Sequence, residues 1–124
     1  MNQNFLHVDL TDKIIKAAIQ VHKTIGPGFS EKIYERALIK QFDKDSIKYE
    51  NQKRIDINYL GEKVGYHFLD FLVYDKIVLE IKAIDELHNI YLSQLISYLK
   101  ATNLQVGLVI NFSRPTVEIK RVAI

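Results

Sequence analysis

The chain has 124 residues, 48% of them hydrophobic and 26% charged, the composition of an ordinary globular protein with enough length to bury a core of its own. It contains no cysteine, which excludes disulfides and thiolate chemistry and leaves only oxygen or imidazole to hold a metal. A formal net charge of +2 excludes nucleic-acid binding driven by bulk charge, and no run approaches the ~20 apolar residues of a membrane span.

The polar start "MNQNFLHVDL" lacks the apolar stretch of a signal peptide, so the expected location is cytoplasmic, with no membrane partner. From about Leu10 to Thr24, Ile14, Ile15, Ala18, Val21, His22 and Ile25 recur at steps of three and four, which predicts a helix with Thr11 or Asp12 as its cap. "GPG" at Gly26–Gly28 ends it. Ser30 stands where an N-cap belongs, and Ile33, Tyr34, Ala37, Leu38 and Phe42 predict a second helix to about Lys44.

The period then changes to two. Ile55, Ile57 and Tyr59 alternate with Asp56 and Asn58, and "LGEK" turns the chain into a second strand over Val64–Tyr74, making a hairpin. "YDK" turns it again into a third strand, Ile77–Ile84, whose near-continuous apolar run reads as a central strand covered on both faces. Helical spacing returns from about Asn89 to Thr102 through Leu92, Leu95, Ile96 and Leu99. "QVGLVINF" is a further buried strand, and "RPTVEIKRVAI" supplies an edge strand. The order predicts an α/β fold, a mixed sheet with helices on its faces, in which the third helix is the crossover between parallel strands. Without repeats, low-complexity tracts or linkers, residues 1–124 are expected to form a single domain.

Within the third strand, "LEIKAI" places Glu80 and Lys82 on one strand face and Ile77, Leu79 and Ile81 on the other. Taken alone, the two charges read most simply as a pair neutralising each other at the strand's solvated end. Asp70 changes that reading, because it lies one turn's length before Glu80 on the neighbouring antiparallel strand, sharing a face with Phe68 and Leu72. Two acids and a lysine at one end of a sheet suit Mg²⁺ or Mn²⁺, hard cations that take oxygen ligands and acidify water for attack on phosphorus. The lysine would position that water or stabilise charge on the phosphate.

Glu31 falls between Leu38 and Phe42 on the inward stripe of the second helix, a third acid that could equally be a favourable charge at a helix start. Tyr91, Gln94 and Tyr98 gather at one margin of the third helix. Of the histidines, His22 reads as a core residue and His67 faces opposite to Asp70; neither they nor His7 and His88 are assigned a role.

"GFSEKIY", Gly28 to Tyr34, resembles the Gly-x-x-Glu-x-x-Tyr signature of the GxxExxY family, and "LDFLVYDKIVLEIKA" resembles its nuclease-type core, a branch of the PD-(D/E)XK superfamily. "QLISY" resembles a Gln-x-x-x-Tyr element of the recombination-exonuclease branch. The superfamily's Pro-Asp pair is Leu69-Asp70 here. The resemblance implies a restriction-endonuclease-like α-β-β-β-α-β core. It implies a Mg²⁺ or Mn²⁺ site formed by Asp70, Glu80, Glu31 and the main chain of Ile81, with Lys82, Gln94 and Tyr98 completing the catalytic set. The expected function is a metal-dependent nuclease hydrolysing DNA through metal-activated water. The alternative is a non-catalytic nuclease-like module that binds nucleic acid or a protein partner. A homodimer paired through Phe112 or the Thr116–Ile124 strand would extend a small groove.

Overall fold

The computed structural model describes residues 5–124; the first four residues of the polar start lie outside it. The elements are α1 (Val8–Ile25), α2 (Glu31–Lys44), β1 (Tyr49–Tyr59), β2 (Glu62–Val73), β3 (Ile77–Lys82), α3 (Asn89–Thr102), β4 (Val106–Asn111) and β5 (Glu118–Ala123). They build one five-stranded sheet in the order β1-β2-β3-β4-β5. Only β3 and β4 run parallel, joined by α3 as the crossover. This is the mixed α/β sheet that the periodicities predict, with α2-β1-β2-β3-α3-β4 in the expected order and β5 as the edge strand. Among the described residues no helix is long and apolar enough to cross a membrane.

Each face of the sheet carries its own core. On one side α1 and α2 pack Ile14, Ala18, Tyr34, Leu38 and Phe42 over Phe71, Ile77, Leu79, Ile81, Leu108 and Ile110. On the other, α3 packs Leu95 and Leu99 over Leu69, Val78 and Val109. β3 is buried from Ile77 to Ile81, as its unbroken apolar run requires. α3 lies so close that a Cβ on Gly107 would come within 2.6 Å of Leu95 Cδ1.

Element ends differ from the sequence expectation for identifiable reasons. α1 starts at Val8, because the main-chain carbonyl of His7 already accepts the N–H groups of Leu10 and Thr11. Thr11 therefore lies inside the first turn, its hydroxyl donating to the Val8 carbonyl at 3.1 Å, and neither it nor Asp12 is the cap. β1 and β2 extend further than the alternation suggests, closed by a two-residue turn in which Leu60 and Gly61 both have positive φ, 51° and 79°. β3 stops at Lys82 and not Ile84. The buried Asn111 side chain takes over there, accepting the Ile84 N–H at 3.1 Å and donating to the Ile84 carbonyl at 2.9 Å. His22 is the core residue expected: buried, with Nε2 2.9 Å from the Arg114 carbonyl oxygen.

The entry into α2 is held by Tyr34. Its fully buried ring stacks on Phe112 at 4.6 Å, and its hydroxyl donates to the Gly26 carbonyl at 2.7 Å while accepting the Phe29 N–H at 3.2 Å. These bonds tie down the "GPG" turn, whose Gly28 has φ 102°, a conformation that side chains strongly oppose. Glu31, the first residue of α2, is fixed in space by that turn. Tyr34→Phe keeps the stacking but removes both hydrogen bonds to half-exposed main chain, and should cost about 0.5–1.5 kcal/mol by urea denaturation. A loss below a few tenths of a kcal/mol would show that the hydroxyl does not brace the turn.

Candidate functional site

β2 and β3 begin as an ordinary antiparallel pair, Val73 with Ile77, Leu72 with Val78 and Phe71 with Leu79, and then part. The next position would pair Asp70 with Glu80, and no ladder forms there. Asp70 Oδ2 instead accepts the Ile81 N–H at 2.8 Å, and Glu80 Oε2 accepts the Asp70 N–H at 3.4 Å. Two acidic side chains thus fill the opening between the strands and replace main-chain hydrogen bonds. The distortion reaches β1: Gln52, between the pairs Asn51–Phe71 and Lys53–Leu69, has φ 53°. Strand alternation breaks at the same place. Leu69 packs under α3 whereas Phe71, two residues on, packs under α1 and α2.

The opening leads into a cavity of about 140 Å³ lined by Glu31, His67, Phe68, Asp70, Glu80, Lys82, Tyr91, Gln94 and Tyr98. All six side chains expected at the site from sequence are therefore brought together. Ile81 lines an adjoining space of about 280 Å³ beside Glu31, Lys32, Glu35, Gln52 and Asp70, and Asp70 and Glu31 border both. Glu31 keeps the register of Leu38 and Phe42 that its spacing gives, but as the first residue of α2 it is exposed, and its Oε1 accepts the Ala83 N–H at 3.4 Å, which bridges α2 to the end of β3.

Glu80 carries the strongest electrostatic signal. It is 7% exposed, and among the described residues its Oε1 has no hydrogen-bond partner. Burial, followed by the neighbouring Asp70 carboxyl that favours a proton between the two, pushes its pKa up to about 9 against the Asp70 N–H and the Lys82 charge. Burial and the negative charge of Glu80 and Asp70 also raise the Tyr98 phenol. Lys82 does not neutralise Glu80. Among the described residues it makes no ion pair within 4.0 Å, and its Nζ sits 4.8 Å from the centre of the Tyr91 ring. The simple charge-pair reading of "LEIKAI" is therefore corrected: the ammonium rests on an aromatic face, turned toward the cavity.

A buried carboxylate oxygen without a donor, a second carboxylate beside it and no sulfur ligand suit a hard divalent cation. The residues present fit Mg²⁺ or Mn²⁺, although among the described residues no three His, Asp or Glu side chains converge as a metal cage by themselves.

Several members of the neighbourhood carry no role from sequence, Lys32 and Gln52 beside Asp70 among them. Glu35 is the buried acid of α2, bound by Lys32 at 3.0 Å, Asn51 at 3.2 Å and Gln52 at 2.5 Å. Burial draws its carboxyl upward, but the hydrogen bonds from Gln52, Lys32 and Asn51 and the Lys32 charge outweigh that and hold it below the usual range. Its spacing of three and seven from Leu38 and Phe42 was the available signal. His67 corrects the expectation that it faces away from Asp70: it lines the same cavity and stacks on Tyr98 at 4.3 Å. Strict alternation misplaced it because alternation fails at Asp70. Asn111 had no sequence signal at all.

Against known families, the chain matches the PD-(D/E)XK nuclease superfamily over residues 8–122. No curated protein and no solved structure gives a match.

The Glu80 pKa makes a stability prediction. The folded protein holds a proton there that the unfolded chain releases near its ordinary value of 4.5. The associated stability is present below that value and is lost as pH rises toward about 9. In chelator, Glu80→Gln should melt within about 2 °C of the parent near pH 5 and at least ~5 °C above it near pH 9. A gain equal at both pH values would contradict the assignment.

Proposed function

Because this chain belongs to the PD-(D/E)XK nuclease superfamily, we propose that it is a divalent-metal-dependent nuclease hydrolysing DNA phosphodiester bonds in the cavity at Asp70, Glu80 and Lys82, within the GxxExxY branch. The observation that carries this is the buried Glu80 Oε1 beside Asp70, without a hydrogen-bond partner among the described residues, in one cavity with a lysine that makes no ion pair among them. A domain kept only for binding has no physical use for a pair of acids pressed together in a strand gap, since that arrangement costs stability unless a cation joins it.

Asp70, Glu80 and the Ile81 carbonyl would hold Mg²⁺ or Mn²⁺, with Glu31 as a further acid at the cavity mouth. When bound, the ion supplies Lewis acidity, making water a nucleophile near neutral pH and offsetting charge on phosphorus. Asp70 is oriented through the Ile81 N–H, and Glu80 would hold the ion as its carboxylate, its proton released to solvent. Lys82 donates from Nζ toward the attacking water or the phosphate oxygens, held in aim by the Tyr91 ring. Gln94 and Tyr98, on the α3 side, can hydrogen-bond a phosphate oxygen or water from the opposite wall.

Mn²⁺ should therefore stabilise the wild type, by about 2.7 kcal/mol at one hundred times its Kd, and should leave the melting temperature of Asp70→Ala unmoved. Equal shifts in both would count against the site. Lys82→Ala and Lys82→Arg should both lose at least ~10²-fold in DNA cleavage while Mn²⁺ binding stays within several-fold, because a planar guanidinium cannot stand in for a compact donor. Full activity in Lys82→Arg would sink the assigned role.

A further inference from the structure

The β1–β2 hairpin outruns the rest of the sheet. β2 leaves β3 at Phe71, yet its pairing with β1 continues to Tyr59 and Glu62. On this arm Phe68 pairs across to Arg54 and Tyr66 to Asp56, so these four share one face. The aromatic side chains are unusually bare, Phe68 at 45% and Tyr66 at 58% exposed. Their ring centres are 5.7 Å apart at an interplanar angle of 85°. Cations accompany them: the Arg54 guanidinium lies 4.3 Å over the Tyr66 ring and Lys63 Nζ 5.9 Å from it. Apart from their edge-to-face contact with each other and the cations beside Tyr66, the rings belong to neither core cluster of the described residues.

The inner end of this aromatic row borders the candidate site, because Phe68 is also a wall of the cavity that holds Asp70, Glu80 and Lys82. We propose that the hairpin is a stacking platform for single-stranded nucleic acid, with unpaired bases lying on Phe68 and Tyr66 and the backbone entering the cavity past Phe68. This rests on reading that cavity as the phosphodiester site. The 5.7 Å between the ring centres exceeds the ~3.4 Å rise of a duplex and suits bases spread along an extended single strand. Every base offers a π-face to an aromatic ring, and Arg54 and Lys63, which share Asp56 at 3.5 Å in exposed, weak ion pairs, carry together one positive charge more than Asp56 balances, available to the phosphates that follow. Base-paired DNA keeps its faces stacked internally and cannot use the rings, so the site takes unpaired ends, gaps or flaps. A second copy of this chain fits the face less well, since Arg54, Asp56 and Lys63 sit within the aromatic row, where a self-association core is depleted of charge.

The test is anisotropy of labelled oligo-thymidine and oligo-uridine in chelator, where no hydrolysis consumes the probe, with blunt duplex DNA as the comparison. Phe68→Ala and Tyr66→Ala should each weaken single-strand binding roughly five- to a hundred-fold, with little change toward duplex, and Phe68→Trp should bind at least as well as wild type. Melting curves check that the variants, altered at exposed positions, stay folded. Unchanged single-strand affinity, equal losses toward duplex, or a wild-type dimer that the two alanine variants dissolve would each overturn the proposal, the last in favour of a contact between copies. The nuclease reading is scored separately by Mn²⁺-dependent cleavage. Wild type that grips oligonucleotide through Phe68 and Tyr66 but cuts nothing sinks that reading and leaves the platform standing.

Discussion

The architecture of the site depends on one substitution of hydrogen-bond partners. Every buried main-chain N–H needs an acceptor, and in a regular sheet the neighbouring strand provides it. At Ile81 the acceptor is a side chain, Asp70 Oδ2 at 2.8 Å. That single exchange lets β2 and β3 separate after Phe71 and Leu79 without abandoning a buried donor. The cavity occupies the space so opened, the Glu80 carboxyl is drawn into it, and β2 swaps faces between Leu69 and Phe71.

The exchange has an electrostatic consequence that the rest of the fold must absorb. Two carboxyl groups now share a poorly solvated gap, and the cheapest metal-free remedy is to keep a proton on Glu80. A core of two well-packed layers, one on each face of the sheet, supplies the stability that tolerates this strain. Polar contacts also hold the elements around the gap in place. Tyr34 braces the turn before Glu31, Asn111 clamps the chain after Lys82, and Glu35 binds Lys32, Asn51 and Gln52 beside Asp70. None of these three polar groups lines the cavity that holds Lys82, yet each fixes an element that carries a cavity residue.

Lys82 illustrates how the environment selects between two meanings of the same residues. A Glu-x-Lys spacing on a solvated strand end would give a weak surface ion pair. Here the strand is central, Glu80 is buried, and the α3 residue Tyr91 offers the ammonium an aromatic face in place of a carboxylate. The charges are thus kept apart, one inside the gap and one at its edge. A divided arrangement of this kind suits phosphodiester chemistry, where negative ligands and a positive donor must act on one phosphate from different directions.

Local pattern determined most of the fold. Periods of two and of three to four residues, punctuated by "GPG", "LGEK" and "YDK", marked the three helices and the strands in order, because face-by-face burial writes itself directly into spacing. The same logic made Asp70, Glu80, Lys82, Gln94 and Tyr98 legible, each being a polar residue at or beside an apolar register. What spacing could not carry was the break in its own rule. His67 joins the cavity because regular geometry ends at Asp70, and Glu31, although in the inward register, is exposed because no turn of α2 precedes it. Gln52 and Asn111 became visible only through partners far along the chain. The absence of a Lys82–Glu80 pair likewise needed Tyr91, nine residues on, to be folded back over the strand. Periodicity reports which way a side chain points in a regular element; which groups meet where two elements part is decided by tertiary packing alone.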